Sequence, residues 1–126
     1  MRADIDPGVD TLTEKIIGCA FTVSRGLGHG FLEMVYRNAL WLELTANGLD
    51  VTKERAFPVL YRGEKVGMYV ADLVVDDTVI VELKAIDALA GAHRAQVLNY
   101  LKASRLPVGL LLNFGKPRVE VKRIIR

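Results

Sequence analysis

The chain has 126 residues, of which 51% are hydrophobic and 25% are charged, so its composition excludes a disordered polypeptide and suits a single folded domain. No apolar run reaches about 18 residues, and the acidic N-terminus lacks the apolar core of a signal peptide, which argues against membrane insertion or secretion. The single cysteine, Cys19, has no partner for an intrachain disulfide. We therefore expect a cytoplasmic protein with no membrane partner.

The net charge of +2 conceals two unlike halves of the chain. Residues 1–83 carry a net charge of −5, whereas residues 84–126 carry +7. A basic half beside a cluster of carboxylates is typical of a phosphate-binding surface next to a metal site. A basic face that only keeps the protein in solution would give the same asymmetry, and composition alone does not separate the two.

Two helices are predicted in the N-terminal part of the chain, after a short tail. We expect residues 1–10 to form a flexible tail, because a Pro-Gly pair interrupts regular structure there. Thr11 and Glu14 have the spacing of a capping box, which predicts a helix that ends near residue 24. The glycine-rich segment that follows lacks the Gly-Lys-Ser/Thr of a phosphate-binding loop. We interpret it as the connection to a second helix at residues 31–46.

Alternating apolar residues and turn signals predict three strands, a helix and two further strands in the rest of the chain. The strands are expected at residues 51–61, 64–75, 78–84, 108–113 and 119–125, and the helix at residues 88–104. Pro58 predicts that the first strand is an edge strand or carries a bulge. A helical crossover between the third and fourth strands implies that these two are parallel. The order of elements predicts an α/β fold with a mixed central sheet flanked by helices.

The second and third strands are predicted to form a hairpin that brings charged side chains together. A three-residue loop at residues 76–78 sets Asp72 opposite Glu82. Opposed residues have Cβ atoms about 4.5–5.5 Å apart, so the two carboxylates would repel each other unless a divalent cation lies between them. Lys84 is two residues after Glu82 and therefore on the same face. A solvated sheet edge is the alternative, since Glu-x-Lys is common on exposed strands.

These hairpin charges resemble a known catalytic pattern. Asp72, Glu82 and Lys84 are similar to the catalytic residues of the PD-(D/E)XK nuclease superfamily. Ala71 departs from that pattern, because it occupies the position of the proline in the superfamily's name, a proline that is often replaced. The resemblance runs from about residue 11 to the last residue. It implies a single nuclease-like domain at residues 11–126 with a restriction-endonuclease-like core.

Two further motifs strengthen the resemblance. Gly30, Glu33 and Tyr36 match the pattern that names the GxxExxY family, a bacterial branch of this superfamily. Gln96 and Tyr100 match the Gln-x-x-x-Tyr helix of its RecB-like exonuclease branch. The resemblance implies that Glu33 is a third acidic group at the metal and that Gln96 hydrogen-bonds near it, with Tyr36 and Tyr100 meeting substrate. Without the resemblance, the charge of Glu33 is explained by the dipole of its helix.

The resemblance and the basic half together predict a divalent-metal-dependent nuclease that hydrolyses phosphodiester bonds, with DNA expected rather than RNA. Asp72, Glu82 and Glu33 would hold Mg²⁺ or Mn²⁺, with the backbone carbonyl of Leu83 added by family analogy. Lys84 would orient a metal-bound water or stabilise the transition state, with Glu33 and Gln96 in support. The cations expected to follow the phosphate backbone are Arg94, Lys102, Lys122 and Arg123.

Two other classes of function stay open at this point. A non-catalytic nucleic-acid-binding module on the same fold would need the basic residues without an ordered metal. A subunit that binds a protein partner would use exposed apolar residues, which the sequence does not identify. Intact Asp72, Glu82 and Lys84 favour the enzyme. A homodimer would extend the nucleic-acid footprint of so short a chain.

Overall fold

The computed structural model describes residues 6–126, which contain three helices and five strands. In chain order these are α1 (Pro7–Leu27), α2 (Glu33–Ala46), β1 (Val51–Tyr61), β2 (Glu64–Val75), β3 (Val79–Lys84), α3 (Gly91–Ser104), β4 (Val108–Asn113) and β5 (Glu120–Ile125). The predicted order of elements is confirmed. The strand boundaries agree with the predicted ones within one residue, because alternating apolar residues mark the strands clearly. None of the described helices is long and apolar enough to cross a membrane.

The first helix begins earlier than predicted, at a proline. Pro7 occupies the first helical turn, where its fixed φ suits the helix. Backbone N–H groups in this turn have no acceptor within the helix, so proline loses no hydrogen bond by lacking one. The Asp6 side chain caps this end by accepting a hydrogen bond of 2.7 Å from a backbone N–H two residues later. The predicted capping box at Thr11 is wrong, since its hydroxyl donates to the carbonyl four residues earlier. The predicted flexible tail is likewise wrong for residues 7–10, and its residues 1–5 lie outside the described residues.

The other two helices begin two or three residues later than predicted, at Glu33 and Gly91. The start of α3 is held by His93, whose ring Nδ1 accepts a hydrogen bond of 2.9 Å from the Ala90 N–H. Asn47 caps the C-terminus of α2. The helix ends are therefore set by local polar contacts, which apolar periodicity does not reveal.

The five strands form one mixed sheet in the order β1-β2-β3-β4-β5. β3 and β4 are parallel, with α3 as the crossover between them, and the other neighbouring strands are antiparallel. This topology confirms the predicted α/β fold with a mixed central sheet. β1 is an edge strand with a register shift after Val59, in agreement with the prediction from Pro58.

Helices cover both faces of the sheet. On the α1/α2 face, the buried strand residues are Leu73, Val75, Val79, Val81, Leu83, Val108, Leu110 and Leu112. On the α3 face, the helix residues Val97, Tyr100 and Leu101 pack against Val74, Ile80, Leu111 and Ile124. Gly109 in β4 allows the close approach of α3, because a Cβ at this position would lie 2.5 Å from Val97 Cγ1.

β1 and β2 continue past β3 as a two-stranded ribbon. Only the last three residues of β2 pair with β3, and the rest of β2 pairs with β1 alone. Phe57 and Tyr69 of the ribbon pack with the residues of α3. The ribbon is irregular where it leaves β3, since Glu54 has a φ of 53° and the β1–β2 pairing skips Glu54 and Asp72. Asp72, one of the charged residues of the β2–β3 hairpin, therefore lies at this irregular point, where the ribbon leaves β3.

Candidate functional site

Asp72 and Glu82 lie where the regular pairing of β2 with β3 ends. The last backbone pair is formed by Leu73 and Val81. Beyond it, the Asp72 N–H donates to Glu82 Oε1 at 2.9 Å, and the Leu83 N–H donates to Asp72 Oδ2 at 2.9 Å. Each carboxylate therefore bridges the two strands in place of a backbone bond. The predicted opposition of these two acids across the hairpin is observed.

The burial of Glu82 changes its acid–base behaviour. Only 4% of its surface is exposed. Burial, and then the negative charge of Asp72, raise the pKa of Glu82 to about 9, and a side-chain hydrogen bond with Asp72 acts in the same direction. The Asp72 N–H and the Lys84 ammonium oppose this shift, because both favour the charged carboxylate. A carboxyl with this raised pKa favours its protonated form at neutral pH when no cation is bound.

Glu33 and Lys84 lie within electrostatic reach of this pair. Partial burial, and then the charge of Asp72, raise the pKa of Glu33, whereas Lys84 and Arg37 lower it. The first residue of α2 thus faces the same region as the hairpin charges. Within residues 6–126, Lys84 forms no ion pair closer than 4 Å, so its ammonium group is not committed to a protein partner.

On α3, Tyr100 lies within electrostatic reach of the carboxylates, and Gln96 lies one helical turn earlier. Tyr100 is 8% exposed, and its ring meets the Tyr69 ring edge-on, with 5.0 Å between centroids. Burial, followed by the charges of Glu82 and Asp72, raises the pKa of Tyr100 to about 12, so its hydroxyl stays protonated. Gln96 is exposed, and its amide has no hydrogen-bond partner in the part of the chain that the structure describes.

Tyr36 belongs to the core, so its predicted place at the substrate is wrong. Its side chain is fully buried, and its ring stacks on Phe114 with 4.8 Å between centroids. Its hydroxyl donates to the Gly28 carbonyl at 2.7 Å and accepts from the Phe31 N–H at 3.2 Å. Tyr36 therefore fixes the glycine-rich connection directly before the helix that presents Glu33.

Arg123 lies on the α1/α2 face, so the prediction that it follows the nucleic-acid backbone is wrong. Its guanidinium pairs with Asp10 and donates to Thr13 Oγ1 at 2.8 Å, and both partners belong to α1. Successive side chains of a strand point to opposite faces, so Lys122 lies on the α3 face together with Ile124. Only one of the two neighbouring cations shares a face with Glu82.

The other three predicted cations lie on the α3 face. Lys122 pairs across the sheet with Leu111, which pairs in turn with Glu82, so the three residues form one row. Arg94, near the start of α3, and Lys122 line one cavity of about 310 Å³. Lys102, near the end of α3, lines another of about 360 Å³. The cations therefore flank the carboxylates along the length of the helix.

Arg37 supports the site, a role that sequence reasoning did not identify. It bonds to Glu54 Oε1 at 3.1 Å, where the ribbon is irregular, and its positive charge favours the ionised form of Glu33. Its Nε is buried without a partner within the described residues. The contact joins α2 to β1 beside Asp72, which no local sequence pattern could have predicted.

Asn113 is a second supporting residue that sequence reasoning missed. It is fully buried at the end of β4. Its amide accepts from the Ile86 N–H and donates to the Ile86 carbonyl, both at 3.0 Å, and it donates to Glu120 at 3.1 Å. These bonds fix the segment directly after Lys84. The signal was an asparagine closing the apolar run VGLLLN, since a buried amide needs partners.

The donor set suits a hard divalent cation through two protein side chains. Within residues 6–126, no three His, Cys, Asp or Glu side chains are grouped closely enough to hold one ion. Glu33 is not grouped with Asp72 and Glu82 by this criterion, and its place at the metal stays a prediction. Mg²⁺ commonly takes one or two carboxylates and completes its shell with waters and substrate phosphates. Asp72 and Glu82, each with one oxygen held by a backbone N–H, fit that requirement.

Comparisons with known proteins support the superfamily and the fold. A family model for the PD-(D/E)XK nuclease superfamily matches residues 10–124. The crystal structure of SSO0001 has a similar fold, with a TM-score of 0.56 and 19% sequence identity. The alignment covers 73% of this chain and 48% of the SSO0001 chain, so this chain spans about half the length of that protein. No curated protein gives a significant match.

Proposed function

Since the chain belongs to the PD-(D/E)XK nuclease superfamily, we propose that it is a divalent-metal-dependent nuclease that hydrolyses phosphodiester bonds. The superfamily consists mostly of nucleases, which generally use divalent metals. The observation that carries the proposal is the pair of carboxylates, Asp72 and Glu82, at the end of the β2–β3 pairing with Lys84 beside it. Two acids forced together in a buried position are costly unless a cation joins them.

In this proposal Asp72 and Glu82 hold Mg²⁺ or Mn²⁺, and the Leu83 carbonyl adds a backbone oxygen by family analogy. The buried Glu82 carboxyl favours its protonated form when no cation is bound. Cation binding must displace that proton, because a ligand carboxylate is deprotonated. Metal affinity is therefore expected to rise with pH up to about the pKa of Glu82.

The chain's own residues then prepare the phosphate for attack. A bound divalent cation supplies a water of lowered pKa and neutralises charge on the phosphate. The Lys84 ammonium, which has no protein ion pair in the described chain, stabilises the negative charge of the transition state. Glu33 contributes a negative charge within electrostatic reach of that ammonium, and Tyr100 offers a protonated hydroxyl near the acids. Gln96, exposed one turn earlier, is the proposed polar contact to substrate.

The substrate is proposed to be nucleic acid, with DNA favoured. Arg94, Lys102 and Lys122 lie on the α3 face and are the proposed phosphate contacts. Phosphate contacts position a strand without reading its sequence, so weak sequence specificity is expected. Within the superfamily we propose the GxxExxY branch, on the match of Gly30, Glu33 and Tyr36.

The test is a cleavage assay on labelled single-stranded and duplex DNA and RNA, with Mg²⁺, Mn²⁺ or EDTA. Wild-type protein should cleave only with metal, and Asp72→Asn should not cleave. The control is Asp76→Asn, a carboxylate in the exposed turn at the other end of the same hairpin. Failure to cleave any of these substrates with either metal, or an active Asp72→Asn, would reject the proposed function. The non-catalytic binding module would then be favoured if the affinity for nucleic acid remained.

A further inference from the structure

A cavity of about 360 Å³ lies between the β1–β2 ribbon and the second half of α3, and the proposed function uses only Lys102 of its lining residues. Its chemically distinct lining residues are Tyr69 from the ribbon and Asn99, Lys102 and Arg105 from α3 and its cap. Pro58, Val59, Leu60 and Ala103 supply the apolar remainder. The cavity thus combines an aromatic ring, an amide and two cations on an apolar floor.

This cavity adjoins the candidate active site. Its Tyr69 ring contacts the ring of Tyr100, with 5.0 Å between centroids, and the hydroxyl of Tyr100 lies within electrostatic reach of Glu82 and Asp72. Asn99 directly precedes Tyr100 on α3. A nucleic-acid strand bound across the carboxylates can therefore reach the cavity by following α3 toward its C-terminus.

The polar side chains that line the cavity are not held by hydrogen bonds or ion pairs within the described protein. Across residues 6–126, the side chains of Asn99, Lys102 and Arg105 form no hydrogen bond or ion pair. Cations near a helix C-terminus are favoured by the helix dipole, which accounts for Lys102 and Arg105 without a ligand. The dipole does not account for a tyrosine and an amide that open into the same space.

We propose that this cavity binds one unpaired nucleotide of a single-stranded nucleic acid whose neighbouring phosphate lies at the carboxylate pair. Ligand cavities start at about 300 Å³, so this one suits a single nucleotide. Sites for single strands pair a basic track with aromatic side chains, because every base has a face that stacks. Tyr69 contacts the base, Asn99 hydrogen-bonds its edge, and Lys102 and Arg105 bind its phosphate. Bases in a duplex are stacked on both sides and do not enter.

This inference deepens the proposed function, because it assigns single strands or single-stranded ends as the substrate class of the same site. The experiment measures binding in EDTA, where no cleavage occurs. The probes are a short fluorescein-labelled oligothymidylate and a blunt duplex of equal length, followed by fluorescence anisotropy. Asn99→Leu fills the cavity without changing charge. Lys102→Ala with Arg105→Asn removes the two cations, and asparagine tolerates the left-handed backbone of Arg105, where φ is 63°.

The control removes two exposed cations from α1, Lys15→Ala with Arg25→Ala. Wild type should bind the single strand at least about tenfold more tightly than the duplex. Asn99→Leu and the cation variant should each remove most of that preference, and the control should keep it. Equal wild-type affinity for both probes, or cavity variants that bind the single strand like the control, would overturn the inference. Competition by thymidine monophosphate as strong as by the oligonucleotide would also overturn it, in favour of a free-nucleotide site.

The two proposals fail separately. If no substrate is cleaved with metal but the cavity variants still lose single-strand binding, the nuclease function is wrong and the cavity assignment holds. If wild type cleaves with metal and Asn99→Leu binds and cleaves like wild type, the cavity assignment is wrong and the nuclease function holds. Thermal melting of Asn99→Leu and of the cation variant confirms that both are folded, and each variant tests the cavity independently.

Discussion

The two faces of the sheet differ in whether their polar side chains find partners within the protein. On the α1/α2 face, Tyr36 and Arg123 are polar, and each is satisfied inside the protein by two partners. On the α3 face, Glu82 is buried against a like charge, and Lys122 forms no ion pair with any described residue. Polar groups whose hydrogen bonds are all made within the protein indicate a structural role. A buried carboxyl of raised pKa, on the same face as cations without ion pairs, indicates a ligand-binding site.

The same contrast occurs within one short hairpin. At its turn, Val75 pairs with Val79, and both are fully buried and apolar. A few residues away, Asp72 and Glu82 replace backbone pairing with side-chain bonds, and the pKa of Glu82 is raised to about 9 by burial and by the charge of Asp72. The buried apolar end stabilises the fold and offsets the free-energy cost of placing two acids together at the charged end. Substitutions of structural residues and of site residues should therefore have separable effects.

The largest expected effect is catalytic. Lys84→Met should lower metal-dependent cleavage by roughly 10²–10³-fold, as loss of one well-placed electrostatic group does. Nucleic-acid affinity should persist, because it rests on several phosphate contacts. Lys15→Met on the opposite face is the matched control. Single-turnover rates measure the effect, and a Lys84→Met rate equal to that of the control would remove Lys84 from the mechanism.

The next effect is structural and belongs to the α1/α2 face. Tyr36→Phe should lower the free energy of unfolding by about 1–3 kcal/mol, because it leaves the Gly28 carbonyl and the Phe31 N–H without their buried partner. The affinity for oligonucleotide should not change. Urea denaturation and anisotropy check the two expectations. If Tyr36→Phe had wild-type stability but bound the oligonucleotide more weakly, Tyr36 would be a substrate contact and its structural assignment would be wrong.

A smaller effect concerns pH and the acid pair. The pKa of Glu82 is raised in the folded state, so the fold binds its proton more tightly than the unfolded chain does. The stabilisation is complete below the unfolded pKa of about 4.3 and is lost as the pH rises through about 9. The raised pKa of Glu33 acts in the same direction. In EDTA, unfolding free energy should therefore fall between pH 5 and pH 9.

Glu82→Gln should flatten that fall and raise metal-free stability at pH 8 by about 0.5–1 kcal/mol, as for an opposed pair of like charges. Asp72→Asn should also be more stable than wild type without metal. Mn²⁺ should stabilise wild type and neither variant, because a ligand stabilises only the state that binds it. Variants that melt below wild type in EDTA, together with no Mn²⁺ shift in wild type, would make the carboxylates structural.

The smallest effect separates two neighbouring cations. Lys122→Ala should reduce the salt dependence of duplex binding by about one phosphate contact, a change in slope of about 0.9, with little change in stability. Arg123→Ala should leave the slope unchanged and destabilise the protein, because the ion pair with Asp10 and the hydrogen bond to Thr13 are lost. Equal slopes in both variants, or a change only in Arg123→Ala, would contradict the assignment of faces.

The hairpin site was predictable from sequence because its geometry is local. Alternation and a three-residue turn fix which residues oppose each other, so Asp72 and Glu82 follow from counting. The errors concern residues whose role depends on distant contacts. Val119 and Val121 indicate that Arg123 continues an apolar face, but which face carries the site depends on the packing of α3. Tyr36 lies on a helical stripe that looks the same whether it meets solvent or the core.

The separation between local and distant contacts has a consequence for folding. The two acids are ten residues apart on one hairpin, and hairpins form in about 1–10 μs. The parallel pairing of β3 with β4 must wait for the α3 crossover, because contacts between distant segments form more slowly. The carboxylates are therefore expected to be hydrated and ionised until α3 docks. Docking would then be the step at which the protein takes up a proton, visible as a pH-indicator signal in stopped-flow refolding at pH 7; proton uptake concurrent with hairpin formation would contradict this order.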